Sequence, residues 1–173
     1  MKAVINGMFL NSKINGIPRY AMEVVKHMDP LAEGMDIEIC YPTDLSENKI
    51  PHFKNIKPVP FGKNGKGWDI LCGEKYARRK NALYVNLASR GGLYKNSIVC
   101  LHDIRPLTWD LQHGKKTKHF LLDKLNFWLV AHNSKIVTIS EFCRQEIAEY
   151  YHLNASAIAV SPEGAEHLNT IVC

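Results

Sequence analysis

The residues best equipped for chemistry begin with His102 and Asp103, which follow the apolar run at residues 97–101. A carboxylate beside an imidazole raises its basicity, so the pair could act as a base, a proton shuttle or a binder of hydroxyl groups. Neighbouring side chains on an extended chain point opposite ways, so one of the two is expected to face the core or cap the next turn. A second candidate is the loop at residues 11–20, NSKINGIPRY. There the flexible Gly16 and the free amides of a helix start could cradle a phosphate, with Arg19 one turn inside. The same loop also reads as a plain strand-to-helix connection in which Gly16 only makes a turn. No G-x-G-x-x-G is present, so a dinucleotide fingerprint has no support.

A third candidate is the pair Ser140-Glu141. Ser140 stands where an N-cap belongs, and Glu141 puts a carboxylate at the positive end of the helix; the pair suits capping and substrate contact equally. The fourth is the basic and aromatic stretch at residues 115–128, KKTKHFLLDKLNFW. Leu121, Leu125, Trp128 and Leu129 are expected to make one apolar face, beside Lys115, Lys116 and Lys118 at a helix start where the dipole disfavours cations. An anionic membrane surface or a lipid phosphate would compensate those charges. The alternative is a core-facing stripe with solvated lysines.

These residues need elements to hold them. Residues 135–145, KIVTISEFCRQ, read as a short β-branched strand turning into a helix whose apolar stripe begins with Phe142, Ile147 and Ala148. The run at 157–160 then closes a strand-helix-strand unit with a right-handed crossover and parallel strands. Earlier strands are expected at 3–5, 37–41, 56–61, 83–87 and 97–101, the third of these an edge strand because of its prolines. Helices are expected at 17–28, 68–80 and near 116–132, with Pro18 in the first turn and the basic cluster Arg78-Arg79-Lys80 at a negative end. Residues 6–16, 62–67 and 89–95 read as loops. Strand and helix alternate, which predicts an α/β domain: a doubly wound, mainly parallel Rossmann-like sheet with helices on both faces. In such sheets ligands sit at the carboxyl ends of the strands, which is where His102, Asp103, Ser140 and Glu141 fall.

Composition narrows the classes. The 173 residues suit one domain, 46% hydrophobic and 23% charged composition is ordinary for a globular protein, and the net charge of +5 favours anionic partners without choosing among them. Five widely spaced cysteines, Cys40, Cys72, Cys100, Cys143 and Cys173, predict reduced thiols in a cytoplasm, with no paired spacing for a metal. No apolar run reaches the roughly 20 residues of a membrane span, and no secretory leader is recognisable. No zinc-finger, RRM or homeodomain pattern occurs, so no nucleic-acid partner is expected. The G-x-S-x-G of serine hydrolases is also missing.

Four segments, INGIPRYAMEV, SIVCLHDIRPL, KIVTISEFCRQEIAEYY and AIAVSPEGAEH, together resemble in order and spacing the N-terminal half of retaining glycosyltransferases of family 4, of GT-B architecture. The resemblance spans nearly the whole chain. It implies that Asn15, Gly16 and Arg19 approach the diphosphate of a nucleotide-sugar donor, a co-substrate rather than a bound cofactor. It implies that His102 and Asp103 lie near the reacting centre and that Ser140 and Glu141 line the acceptor side, with no metal. Pro18 stands where relatives often have glycine, which removes one amide from the phosphate contact. Residues 1–164 would be the acceptor-side domain and 165–173 the start of a linker to a donor-binding domain, supplied in cis or in trans. The implied activity is transfer of a sugar to a saccharide or lipid-linked acceptor with retention, the chain being inactive alone. A cytoplasmic location with a peripheral membrane contact is expected. The alternative is a non-catalytic saccharide-binding or assembly module acting with a separate partner chain.

Overall fold

The computed structural model describes residues 1–105, 107 and 118–164, of which the side chains of 118–120 are excepted. Lys115 and Lys116, and the expected linker at 165–173, lie outside the described residues. Among the described residues seven strands form one sheet in which every pairing is parallel. They are β1 (Lys2–Asn6), β2 (Asp36–Tyr41), β3 (Lys57–Pro60), β4 (Leu83–Asn86), β5 (Ser97–Cys100), β6 (Lys135–Thr138) and β7 (Ala159–Val160). Their order across the sheet is β3-β2-β1-β4-β5-β6-β7, so the chain builds outward from β1 in one direction and then in the other. This is the doubly wound α/β, Rossmann-like arrangement expected from the alternation of elements. The proline-bearing strand β3 is at one edge, where a missing ladder donor does least harm.

The α-helices among the described residues are α1 (Gly16–Leu31), α2 (Lys75–Arg79), α3 (Lys118–Asn133) and α4 (Glu141–Tyr151). Strand alternation splits the core. Ala3, Ile5, Ile37, Ile39 and Cys100 join Tyr20, Ala21 and Val25 of α1 on one face. On the other, Val4 and Cys40 meet Trp68, Ala77 and Tyr84, while Val99 and Ile136 meet Phe127 and Val130 of α3 and Ile147 of α4. Glu38, on that second face of β2, is 5% exposed and fully engaged: Lys80 Nζ lies 3.0 Å from Oε1 and the Tyr76 hydroxyl donates to Oε2 over 2.8 Å. The basic end of α2 therefore anchors the helix to β2 besides meeting its own dipole.

Four expectations need correction. The helix expected at 68–80 is π-helical over Asp69–Glu74 before α2 begins. Gly73 admits the Tyr84 hydroxyl so closely that a Cβ there would sit 2.6 Å from it, and that hydroxyl donates to the Asp69 carbonyl over 2.9 Å, competing with the helical ladder. The loop at 6–16 contains a 3-10 turn, Met8–Asn11, that buries Phe9 and Leu10. The stripe of α4 runs through Cys143, Ile147, Ala148 and Tyr151, while Phe142 is 71% exposed. The face of α3 turned inward carries Phe127, Val130 and Ala131; Leu121, Leu125 and Trp128 are about half exposed or more, so the core-facing reading of that stripe is wrong. Apolar residues surround most of α3, and its contacts with Leu101, Leu107 and Ile136 select which of them are buried.

Candidate functional site

Because all strands are parallel, their carboxyl ends share one edge, and the direction of winding reverses between β1 and β4. At that edge a cavity of about 550 Å³ is lined by Asn15, Gly16, Arg19 and Tyr20 at the start of α1 and by Glu163 and Gly164 after β7. The first helical bond of α1 runs from the Arg19 amide to the Asn15 carbonyl over 2.9 Å, and Asn15 makes no side-chain cap. The amides of Gly16 and Ile17 therefore have no protein acceptor among the described residues, and Pro18 has no amide to offer. At α4, by contrast, the Ser140 hydroxyl accepts the Cys143 amide over 3.1 Å. An open, positively polarised helix start with a guanidinium beside it suits a phosphate oxygen.

His102 is 4% exposed and held on three sides. Its Nε2 lies 2.9 Å from the Leu87 carbonyl, which can only accept, so Nε2 carries the proton. Its ring meets that of Tyr20 edge to face at 4.9 Å. Nδ1 lies 3.8 Å from Glu163 Oε1. In the neutral ring Nδ1 is thus the free lone pair, and a second proton there would face a carboxylate.

The rest of the floor is neutral. Burial, offset in part by a bond with Ser161 and joined by Cys100, raises the Tyr20 phenol to about 12. Burial likewise raises the Cys100 thiol, 3.8 Å from the Tyr20 oxygen, to about 11. Both stay protonated near neutrality.

Asn15, Gly16 and Arg19 line the cavity with Tyr20 and Glu163, and His102, which is outside the lining, lies against the latter two. Asp103 is turned elsewhere: its Oδ1 accepts the Arg105 amide over 2.9 Å, the capping role that alternation assigned to one of the pair. Ser140 and Glu141 share the edge but not the cavity lining. Ser140 is spent as the N-cap of α4, and Glu141 pairs with Arg144.

Tyr20 and Glu163 were not among the sequence candidates. Tyr20 lies one residue beyond Arg19 on an apolar-looking face, and Glu163 is drawn in only by the pairing of β6 with β7. A buried network beneath the edge also went unread. Asn6 Nδ2 donates to Asp69 Oδ1 over 2.6 Å and to the Tyr84 hydroxyl over 2.8 Å, while Asn86 Nδ2 donates to the Arg90 carbonyl over 2.5 Å. Glu74 accepts the Gly92 amide over 2.7 Å. These bonds fix residues 87–92, and hence the carbonyl that orients His102.

Among the described residues no group of His, Cys, Asp or Glu could hold a metal ion, and no helix is long and apolar enough to cross a membrane. Set against known proteins, the sequence matches no family model and no curated protein.

Proposed function

We propose that this chain is the acceptor-side half of a sugar-transferring enzyme, binding a hydroxyl-rich ligand against His102 and presenting α1 to a diphosphate. The observation that carries this reading is a cavity that joins an uncapped helix start and Arg19 to Tyr20 and Glu163, the two residues against which the buried His102 imidazole is held. The resemblance of its segments to family 4 glycosyltransferases points the same way. Gly16 and Ile17 amides with Arg19 stabilise the charge that develops on a leaving diphosphate. His102 Nδ1 and the Glu163 carboxylate each accept from a different hydroxyl of the sugar and so orient it. The donor nucleotide sugar is contacted mainly by a second domain, so the chain alone turns over no donor.

The test is retention of labelled chain on an immobilised saccharide panel, repeated with His102→Gln. Gln keeps a donor for the Leu87 carbonyl but removes Nδ1. Wild type is expected to hold a subset of saccharides, and the variant to lose at least about tenfold in affinity at unchanged thermal unfolding. Equal retention by both proteins, or transfer from a nucleotide sugar by the chain alone at an ordinary enzyme rate, would refute the half-site.

A further inference from the structure

On the other flank of α1 lies a second cavity, of about 690 Å³, bounded by the 3-10 turn Met8–Asn11, the first turns of α1, and Asn48 and Lys49. Its size is that of a small-molecule site, within roughly 300–1,000 Å³. The base is apolar: Phe9 and Leu10 are each 5% exposed, and Pro18 and Met22 line the wall. Ile14 borders it with 74% of its surface in water. The rim is cationic. Lys26 is matched by Glu23 at 3.0 Å, but Lys13, Arg19 and Lys49 have no ion-pair partner among the described residues.

An apolar trough under unmatched cations discriminates in two directions. Inorganic phosphate satisfies the rim but leaves the base wet, and a neutral detergent covers the base but leaves the cations without a counter-charge. A ligand with both features satisfies both. We propose that this trough binds a single hydrocarbon chain carrying a phosphate, the chain lying over Phe9, Leu10 and Met22 and the phosphate met by Lys13 and Lys49, with Arg19 available from the shared wall. The proposal stands on this cavity alone and needs no sugar transfer. Because Arg19 lines both cavities, an amphiphile seated here would place its head group at the wall shared with the first cavity.

Calorimetric titration of the full chain with dodecyl phosphate, below its micelle concentration, tests this. Parallel titrations use inorganic phosphate, dodecyl maltoside, and vesicles containing phosphatidic acid. Saturable binding of dodecyl phosphate is expected, with phosphate and maltoside at least about tenfold weaker. The double variant Lys13→Glu with Lys49→Glu is expected to weaken dodecyl phosphate at least about tenfold and to remove most of its salt dependence. Ile14→Ser, at an exposed position that threatens no core packing, should weaken the two amphiphiles and leave phosphate unchanged. Failure to saturate, equal affinity for dodecyl phosphate and maltoside, or undiminished binding by the double variant would overturn the proposal. So would binding of vesicles with no binding of the monomer, since that makes the rim a membrane-surface patch. None of these outcomes bears on the first cavity, whose own test uses a different variant and ligand.

Discussion

Single side chains in this protein are mostly committed by what surrounds them. His102 could be found by eye because an imidazole beside a carboxylate after an apolar run is conspicuous. Which of its nitrogens is free could not, because that depends on the Leu87 carbonyl, contributed by the loop just after β4, fifteen residues earlier in sequence. Asp103 was legible only as an alternative, since alternation says that one of two neighbours turns away without saying which. The cysteines allow a chemical check. Burial raises the thiols of Cys40 and Cys100 to about 12 and about 11, whereas Cys72 is partly exposed. Alkylation of the native protein at about pH 8 should therefore modify Cys72 well before Cys40 or Cys100, as peptide mass spectrometry would show. Early modification of Cys100 would contradict the packing of Tyr20 over β5.

At the scale of elements, regular periodicity was readable and irregular contacts were not. The strands and α1 follow from runs of Ile, Val and Ala at the spacings that sheets and helices require. The π-helical turn Asp69–Glu74 follows from a tyrosine on a strand that comes later in the chain, and the inward face of α3 from neighbours on other elements. Two joints can be probed. Asp29, near the end of α1, is pushed up by burial, but the amides of Lys54, Asn55 and Ile56 outweigh that and hold it below its ordinary value of 3.8. A lowered carboxyl favours the folded state above the ordinary value and loses that advantage as pH falls through the folded one. Asp29→Ala is thus expected to cost about 1–3 kcal/mol at neutral pH and progressively less in acid, as denaturant titrations at several pH values would reveal. A pH-independent loss would mean that the carboxylate is not the operative group. Gly92 is the second joint: its φ is +102°, and a Cβ there would lie 2.6 Å from the backbone of Leu129 and Val130 in α3. Backbone cannot swing aside as a side chain can, so Gly92→Ala should destabilise by about 1–3 kcal/mol or more and loosen the loop that orients His102. Unchanged melting of that variant would remove the case for a fixed loop.

The whole molecule reads as one parallel sheet with a working edge. Alternating strands and helices were enough to foresee the doubly wound sheet, and with it the common edge of Gly16, His102 and Ser140. The membership of the cavity was less accessible. Glu163 arrives through β7, and Ser140 is withdrawn by its own capping bond. Beyond the edge, the exposed row Leu121, Leu122, Leu125 and Trp128 on α3 is an apolar surface of the kind that a further domain or an interface would cover.

The proposed anion site at the start of α1, with its free amides and the Arg19 guanidinium, is tested most directly by amide NMR of the isotope-labelled chain titrated with uridine diphosphate. Saturable shifts are expected at Asn15, Gly16, Ile17 and Arg19, absent in Arg19→Glu while the rest of the spectrum is preserved. Shifts confined to residues remote from α1, or a response unaltered in Arg19→Glu, would contradict it.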